Sequence, residues 1–330
     1  MDALESASWP RVAAALFWNG LAALVVILSA LTLAGFLGKV WWCFELVCHF
    51  RAQYVGLLVL LSLALLLGKH RWFALAAASF AVVNLATIVP IYAGRPIPEP
   101  SAQTVRALLL NVYKPSEAYD EVLELIEAEK PDIIVLVEMR MRWIDALKEV
   151  LEREHRYTRA YGRGVAIYSR FPLTFVAPTE EMPIQIPALV AELQIGPDRL
   201  TLVATHPDSP DGKLPSKVRN RQLKDLASLA RKLPRPLVLL GDLNVTPFSP
   251  YFSDLLRKGR LIDSRQGFGF QPSWPVWMPP LRIPIDHCLV SEGIIVHDRR
   301  LGSGAGSDHL SVIVDFSLTP QSDRASPGPK

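Results

Sequence analysis

The feature that most constrains this chain is a long stretch near its N-terminus without a charged side chain. Residues 12–37 run for 26 positions without Asp, Glu, Lys or Arg. A helix of about 20 apolar residues spans the hydrocarbon core of a bilayer. Two further uncharged runs, residues 52–68 and 72–92, follow within the first 95 residues. The sequence therefore predicts an N-terminal membrane region, residues 1–93, with about three transmembrane helices.

Composition supports this division of the 330 residues. The 50% hydrophobic content is high for a soluble enzyme, and the excess lies in the first 95 residues. The Pro-rich segment 94–103 (GRPIPEPSAQ) is predicted to be a linker, and residues 319–330 a disordered tail. Charge does not decide the membrane orientation. With the N-terminus inside, three basic residues fall on each side: Arg11, Lys69 and Arg71 inside, Lys39, Arg51 and Arg95 outside.

The region after the linker is electrically neutral. Residues 101–318 contain 27 Lys and Arg against 27 Asp and Glu, whereas a protein that holds duplex DNA through its phosphates usually has a basic surplus. A local basic cluster remains, formed by Lys213, Lys217, Arg219, Arg221 and Lys224. The three cysteines cannot form a disulfide framework. Cys43 and Cys48 are predicted to be unpaired apolar residues, although a pair stays open, and Cys288 to lie in the core.

Residues 104–318 alternate short apolar runs with amphipathic helices, which is typical of an α/β domain. Helices are predicted over residues 117–130, 142–154 and 217–233. Strands are predicted over residues 105–110, 132–137, 164–169, 189–195, 199–205, 237–240, 285–290, 294–301 and 310–316. No internal repeat of fixed period is present.

Several of these apolar strands end in a residue that can act as a ligand or an acid. The strands run into Asn111, Glu138, His206 and Asp242. Strand ends at one edge of a sheet converge, and α/β proteins build their sites there. A single carboxylate at such a position is most often a helix cap or a turn former. Four such endings, together with the pair Asp308-His309, predict a functional site.

The residue types indicate which chemistry such a site could perform. Oxygen ligands without cysteine suit Mg²⁺ or Mn²⁺ rather than zinc, and phosphoryl transfer uses such ions with a base and hydrogen-bond donors. The sequence has no glycine-rich phosphate loop ending in Lys-Ser/Thr, and Ser307 lacks the flanking glycines of a serine nucleophile. A glycosidase carboxylate pair stays open, but it would leave the asparagines and histidines without a role.

Seven motifs, taken in order, resemble the endonuclease/exonuclease/phosphatase superfamily. They are LLLNV with Asn111, PDIIVLVE with Glu138, GVAIYSRFP at 164–172, ATH with His206, GDLN at 241–244, IDH with Asp286, and SDH at 307–309. The resemblance implies a four-layer α/β sandwich, deoxyribonuclease-like, over residues 104–318. With the three-helix transmembrane segment that precedes this domain, the resemblance implies a membrane-anchored, metal-dependent hydrolase of phosphate ester bonds.

The resemblance also implies a role for each matching residue. Asn111, Glu138 and Asp308 correspond to the metal side of the site, with Mg²⁺ or Mn²⁺ as cofactor. His206, Asp242, Asn244, Asp286 and His309 correspond to the catalytic groups. Among them, Asp286 would fix the tautomer of His309, and Asp242 would position or deprotonate the attacking water. Many members have Gln where Val137 stands and a polar residue in place of Tyr113, so the substrate contacts are expected to differ. His49, His70, His155, His287 and His297 match no motif.

The membrane region and the stretch from PSWP at 272–275 to PIDH at 284–287 look like bacterial membrane-anchored members and the teicoplanin-resistance proteins. This likeness implies a multi-pass membrane protein with an extracytoplasmic catalytic domain. The first hypothesis is a Mg²⁺-dependent phosphoesterase acting on a lipid-linked phosphate or pyrophosphate near the bilayer, where Trp274, Trp277 and Met278 could contact lipid or substrate. The alternatives are a membrane-tethered nuclease and an inactive binding or anchoring module. No obligate protein partner is indicated.

Overall fold

A computed structural model describes residues 9–94, 103–161, 164–175 and 188–319. The chain forms two compact units. The first comprises the residues up to Pro90 together with Phe248–Pro250, and the second comprises Ile91–Pro247 and the residues from Tyr251 onward. Most of the linker predicted over 94–103, and all but one residue of the tail predicted over 319–330, lie outside the described residues.

The first unit is built from apolar helices. In chain order they are α1 (Trp9–Phe36), α2 (Trp42–Val47), α3 (Arg51–Leu67) and α4 (Arg71–Ile88). A single 3-10 turn, Cys48–Phe50, joins α2 to α3, and a second, Val89–Ile91, follows α4. Neither Cys43 nor Cys48 forms a disulfide within the described part of the chain.

Three helical segments of this unit are long and apolar enough to cross a membrane: Arg11–Phe36, Trp42–Leu67 and Arg71–Ile91. The second begins ten residues before the uncharged run at 52–68. The segment extends to Trp42 because it includes Glu45 and Arg51, whose side chains are buried. A charged side chain does not interrupt the backbone hydrogen bonds of a helix. These helices support a membrane anchor.

A small polar cluster lies between the helices of this unit. Arg51 Nη1 donates to the Thr32 carbonyl at 3.1 Å and to Asn84 Oδ1 at 3.0 Å, while Asn84 Nδ2 donates to Thr32 Oγ1 at 2.9 Å. All three residues are buried. Where water is absent, such bonds between helices satisfy polar groups that would otherwise be costly. The cluster therefore fixes how α1, α3 and α4 pack.

The second unit contains two six-stranded sheets. The first has the order β11-β12-β1-β2-β4-β3 and the second the order β5-β6-β7-β8-β10-β9. The strands are β1 (Val105–Asn111), β2 (Ile133–Val137), β3 (Tyr157–Tyr161), β4 (Val165–Ser169), β5 (Leu173–Phe175), β6 (Ala188–Ile195), β7 (Asp198–Thr205), β8 (Leu237–Asp242), β9 (Ile262–Asp263), β10 (Asp286–Val290), β11 (Ile294–Leu301) and β12 (Val312–Leu318). The helices are α5 (Tyr119–Glu129), α6 (Met141–Glu154), α7 (Lys213–Lys232) and α8 (Pro250–Gly259).

Each sheet has one parallel pair near its centre, β1 with β2 and β7 with β8, while its other neighbours are antiparallel. The carboxyl ends of a parallel pair lie at the same sheet edge. An antiparallel neighbour brings its amino end to that edge, as β10 does beside β8. Residues at the amino ends of β10 and β12 therefore lie close to residues at the carboxyl ends of β1, β2, β7 and β8.

The buried side chains form three layers, which confirms the predicted four-layer sandwich. Along β1, Ala107 and Leu109 point into the core between the sheets, while Leu108 and Leu110 point toward the first helical layer. The helix α6 in that layer is amphipathic. Its buried residues are spaced four apart on one face and are Trp143, Leu147 and Leu151. A third core joins the second sheet to α7 and α8. Helices thus cover the outer face of each sheet.

The elements differ from the sequence prediction mainly at the sheet edges. The strands β3, β5 and β9 and the helix α8 were not predicted, and α7 begins at Lys213 rather than at residue 217. Pro215 occupies the first turn of α7, where a missing backbone N–H costs little. The edge strands β5 and β9 have only three and two residues, too few to show a hydrophobic alternation, whereas the eight-residue edge strand β11 was predicted. The central strands, which are buried on both faces, were predicted to within about two residues.

Candidate active site

The first sheet brings Asn111 and Glu138 to one edge. Asn111 ends β1 and is paired with Val137, the last residue of β2. Glu138 follows directly, and its Oε1 accepts a hydrogen bond from Asn111 Nδ2 at 3.1 Å. Its Oε2 accepts from the backbone N–H of Lys114 at 3.0 Å. The predicted convergence of these two strand ends is therefore present in the structure.

Two candidate site residues have backbones in the left-handed region, which side-chain-bearing residues seldom adopt. Glu138 has φ of 62° and Asn244 has φ of 50°. Such conformations cost of order 1–3 kcal/mol and persist where the surrounding structure holds them. Both left-handed residues stand just after the end of a strand, β2 or β8.

The second sheet contributes His206, Asp242 and Asp286. Asp242 ends β8 and pairs directly with Asp286, the first residue of β10. His206 follows β7, and its Nδ1 lies 3.2 Å from the Asp242 carbonyl oxygen. Its Nε2 lies 3.5 Å from Glu138 Oε1, on the other sheet. His206 therefore contacts the site residues of both sheets.

Asn111 is the contact at which the two sheet edges meet. Its Nδ2 donates to Asp242 Oδ2 at 3.1 Å as well as to Glu138, and it lies 3.4 Å from His309 Nε2. Its Oδ1 accepts from the backbone N–H of Tyr113 at 2.9 Å. In this orientation the amide nitrogen faces the carboxylates. Metal ligation by Asn111, as the resemblance implies, requires its side chain to turn over.

His309 forms a hydrogen-bonded pair with Asp286. Its Nδ1 donates to Asp286 Oδ2 at 2.8 Å, and the same oxygen accepts from the hydroxyl of Ser273 at 2.6 Å. Burial would lower the pKa of His309, but the charge and hydrogen bond of Asp286, with the charges of Asp242 and Asp308, raise it to about 9. The imidazole is therefore held as a cation, with its Nε2 3.8 Å from Asp242 Oδ2.

Asp308 stands beside this pair at the mouth of the site. Its Oδ2 accepts a hydrogen bond from Trp274 Nε1 at 3.0 Å, and its Oδ1 lies 3.9 Å from His309 Nε2. The preceding residue, Ser307, holds the turn by donating to the Asn111 carbonyl at 2.6 Å and accepting from the His309 N–H at 3.0 Å. Asp308 is thus oriented by an aromatic side chain that the sequence indicated only as a possible substrate contact.

Asn244 lies in the turn after β8. Its backbone N–H donates to Asp242 Oδ1 at 2.9 Å, and its Nδ2 donates to the Pro207 carbonyl at 3.0 Å. The buried Arg219 donates to the Asn244 carbonyl oxygen. Asn244 therefore joins the turns after β7 and β8. For Asn244 to donate to a phosphate, its amide must leave the Pro207 carbonyl.

Three carboxylates of the site differ in their acidity, the half-buried Glu138 and the buried Asp242 and Asp286. Burial would raise the pKa of Glu138, but hydrogen bonds from His206, the Lys114 N–H and Asn111 lower it to about 2. Burial and the negative charge of Asp286 raise the pKa of Asp242. For Asp286, the positive charge and hydrogen bond of His309 outweigh burial and lower the pKa. Glu138 and Asp286 are therefore stable anions, whereas Asp242 is the carboxylate best suited to accept a proton.

The donor set fits a divalent cation. Asp242, Asp286 and His309 present ligand atoms within 4.8 Å of one another, although Nδ1 of His309 is already bonded to Asp286. Within the described part of the chain, the buried oxygens Asp286 Oδ1 and Asp308 Oδ1 have no hydrogen-bond partner. The site contains four carboxylates and two histidines, so its fully ionised form has a net charge of about −2. The carboxylates are those of Glu138, Asp242, Asp286 and Asp308. Oxygen-rich sites of this charge suit Mg²⁺ or Mn²⁺.

The structure brings all eight residues predicted for the site to this edge, and it adds others that the sequence did not reveal. Ser273 and Trp274 orient Asp286 and Asp308 and lie in the PSWP segment. Arg219, which the sequence analysis included in a local basic cluster, is fully buried and donates to the Asn244 carbonyl. Its position was detectable only from helical spacing, because Ser216, Arg219 and Leu223 share the buried face of α7.

A further buried network lies behind the site. Arg265 Nη2 donates to Asp263 Oδ2 at 2.6 Å and to His287 Nδ1 at 2.9 Å, so His287 Nε2 must carry the hydrogen that bonds to the Val245 carbonyl at 2.7 Å. Burial lowers the pKa of His287 to about 3 and keeps it neutral. His287, which sequence left without a role, thus points away from Asp286 and fixes the turn that follows Asn244.

Two stacked sheets with helices on their outer faces, and a site of acids, amides and histidines at one end, define a class of phosphate-ester hydrolases. Residues 108–309 match the endonuclease/exonuclease/phosphatase family, and the chain belongs to that family. The resemblance indicated by the motifs is thereby confirmed. The family is one of metal-dependent phosphoesterases, nucleases and phosphatases, so the chain is a hydrolase of phosphate ester bonds. No curated protein matches the sequence significantly.

Solved structures share the fold at low sequence identity. A family member from Bacteroides vulgatus is 16% identical with a TM-score of 0.54, and the match covers 66% of this chain and 100% of that one. Humanised TDP2 of D. rerio is 14% identical with a TM-score of 0.53 and the same coverage. The 3′ phosphatase NExo of Neisseria is 21% identical with a TM-score of 0.51, covering 65% and 100%. At these identities the matches show the fold alone.

Proposed function

We propose that this chain is a membrane-anchored phosphoesterase that depends on a divalent cation and hydrolyses a lipid-linked phosphate or pyrophosphate close to a bilayer. The observation that carries the chemistry is the contact between the Asp286–His309 pair and the cluster of Asn111, Glu138 and Asp242. It joins a charged hydrogen-bond donor, a buried proton acceptor and anionic ligands where the edges of the two sheets meet.

Glu138 is the principal ligand for the cation in this proposal. Its low pKa makes it a poor base at neutral pH but keeps it ionised. Asp308 and, with its amide turned over, Asn111 would complete the metal side. A bound Mg²⁺ or Mn²⁺ would neutralise the non-bridging oxygens of the phosphate. The position of Glu138 in a left-handed turn, fixed by the Lys114 N–H, keeps the carboxylate aimed into the site.

Asp242 and His309 divide the proton chemistry. Asp242, whose pKa is raised, accepts a proton from the attacking water, because a stronger base abstracts a proton more readily. His309, whose pKa is about 9, is protonated and donates through Nε2 to a phosphoryl oxygen as negative charge develops. Asp286 keeps that imidazolium oriented. His206, which lies between Glu138 and Asp242, is a second donor to the phosphate or the leaving group.

The substrate class is inferred from the setting of the site. Three helices are apolar enough to cross a membrane, and a domain carrying equal numbers of basic and acidic residues has no overall attraction for a polyanion. Both features favour a substrate that resides in the bilayer. The resemblance to teicoplanin-resistance proteins adds the proposal that the catalytic unit is extracytoplasmic. A reporter enzyme fused to the C-terminus would test the side of the membrane.

The test is a substrate panel with the full chain in nanodiscs. Polyprenyl pyrophosphate, phospholipid and DNA would each be supplied with Mg²⁺, and phosphate or fragment release would be measured. We expect release from a lipid-linked ester, and none after chelation of the cation. Turnover of DNA alone would overturn the substrate proposal and leave the phosphoesterase chemistry intact.

A membrane-tethered nuclease is the second candidate, and one surface favours it. Lys213, Lys217, Arg221 and Lys224 are exposed on α7, which begins shortly after His206. Backbone phosphates bound there would release counterions, so affinity for single-stranded DNA would fall steeply with salt. An inactive binding module is the third candidate. It predicts the same ligand affinity and the same absence of turnover in wild type and in Glu138→Gln.

A further inference from the structure

An apolar loop tip projects from the rim of the site. The chain leaves and returns through an antiparallel bridge between Trp274 and Ile283, and the residues between them form the tip, defined here as Trp277–Leu281. None of its five residues, WMPPL, carries a charge. Trp277 is 68% exposed and Leu281 is 45% exposed. Exposed apolar side chains that adjoin one another, rather than being scattered singly, mark a contact site.

The tip is held in place by its base. The backbone N–H of Val276 donates to the Asp308 carbonyl at 2.8 Å, and Arg282 donates to the carbonyls of Pro275 and Val276. Two prolines and a 3-10 turn further restrict the tip. Its exposed side chains are therefore presented in a fixed position beside Asp308, so a partner would lose little conformational entropy by binding it.

The tip continues into the rest of the rim. A Cβ added at Gly304 would lie 3.4 Å from the Val276 side chain. The neighbouring Gly306 carbonyl accepts from the Ser116 hydroxyl at 3.1 Å, and Arg142, in the first turn of α6, donates to the Ser116 carbonyl at 3.3 Å. The tip, residues 304–306, residues 113–117 and the start of α6 therefore form one edge around Asn111 and Glu138.

This edge exposes further apolar groups next to catalytic positions. Tyr113, two residues after Asn111, is 40% exposed, and Met141, three residues after Glu138, is 68% exposed. Lys114 and Arg140 are exposed beside them. Aromatic and aliphatic side chains interspersed with basic ones suit the interface of a bilayer. There the apolar groups reach the acyl boundary and the cations meet lipid phosphates.

We infer that this edge is a membrane-contacting surface of the catalytic unit, with Trp277 and Leu281 entering the headgroup region of a lipid bilayer. The inference rests on the proposed membrane-associated function. Its occupant is lipid because the same chain contains three helices apolar enough to span a membrane. A tip without charge forms no ion pair with the phosphates of a polyanion. Contact there would place the mouth of the site against the headgroups, where a lipid-linked phosphate lies.

A labelling experiment tests the contact directly. Trp277→Cys, in a Cys43→Ser/Cys48→Ser background, would carry an environment-sensitive fluorophore, since Cys288 is fully buried. The matched control is Val150→Cys, a 45% exposed position on α6, about 14 Å along the helix from Met141. Full chains would be reconstituted in phosphatidylcholine vesicles containing some phosphatidylglycerol. We expect nitroxide-labelled lipid to quench the label at 277 and not at 150. Equal quenching, or none at 277, overturns the inference.

An activity experiment separates this inference from the proposed function. Trp277→Ser/Leu281→Ser should lower turnover of a bilayer-held phosphate ester by about tenfold and leave turnover of soluble bis-para-nitrophenyl phosphate unchanged. Val150→Ser should change neither. An equal loss on both substrates would mean that the tip supports the site rather than binding lipid. If the wild type hydrolyses neither substrate, the proposed function fails, and the labelling result alone decides the surface.

Discussion

Asp242 and Asp286 are paired directly across β8 and β10, so the structure places two carboxylates, 1% and 2% exposed, side by side. Like charges this close cannot both ionise freely. The cationic His309 stabilises the charge of Asp286 and lowers its pKa, while burial and the charge of Asp286 raise the pKa of Asp242. One carboxylate thereby becomes an orienting anion and the other a proton acceptor.

Asp286→Asn should uncouple His309 from this arrangement. Without the carboxylate charge, the pKa of His309 should fall toward its ordinary value, because burial then dominates. We expect turnover to fall by about 10²–10⁴-fold, the range of general acid–base contributions. Histidine NMR titration and steady-state kinetics would measure the two effects. Ser273→Ala, which removes one hydrogen bond from the same oxygen, is the control and should cause a much smaller loss.

Glu138→Gln should abolish activation by the cation and leave the fold intact. The amide keeps the size of the side chain but loses the charge that holds a divalent ion. We expect calorimetric binding of Mn²⁺ to be lost together with turnover, and the melting temperature without metal to change little. Glu117→Gln, an exposed carboxylate on the same edge, serves as the matched control. Undiminished Mn²⁺ binding by Glu138→Gln would show that this residue is not the principal ligand.

The stability of the metal-free protein should fall as the pH rises from 6.5 through 9. His309 has its pKa raised to about 9 in the folded state, while the unfolded value is about 6.5. The contribution of His309 to the free energy of unfolding is therefore fully present below pH 6.5 and is lost as the folded imidazolium deprotonates. Thermal melts with chelator across this range, compared with His309→Gln, would measure the effect. Identical pH profiles for the two proteins would contradict it.

On the acid side, His287 should make stability fall. Its pKa is lowered to about 3 by burial in the folded state, so the unfolded chain binds a proton first as the pH drops below about 6.5. The contribution of neutral His287 to the free energy of unfolding is present above pH 6.5 and is lost progressively as the pH falls toward 3. His287→Gln, which cannot titrate, should flatten the melting profile between these values. A profile as steep as that of the wild type would rule out this assignment.

Arg265→Met should be strongly destabilising because it leaves Asp263 as an unpaired buried charge. Arg265 is fully buried and bonds to both oxygens of that carboxylate. Breaking a buried pair from one side typically costs about 3–5 kcal/mol. The control is Arg257→Met, whose 71% exposed side chain pairs with Asp254 and should cost less than about 1 kcal/mol. Urea unfolding followed by circular dichroism would measure both.

The sequence predicted the fold well, and the eight residues it singled out lie together in the structure, because both depend on local patterns. Central strands buried on both faces are continuous apolar runs, and the polar residue that ends each run is visible by inspection. Ser273, Trp274 and Arg265 were not predicted to orient the site, because their roles depend on contacts between segments distant in the chain. Asp286 and Ser273, for example, meet only when the loop between them closes.

The site is divided between two sheets. Asn111 and Glu138 come from one sheet, and His206, Asp242 and Asp286 from the other. The core between them is aliphatic, for example Leu109 and Leu240. Enzymatic turnover therefore depends on how the two sheets pack against each other. A cavity-forming substitution such as Leu240→Ala would shift one half of the site against the other and suppress activity at temperatures well below unfolding.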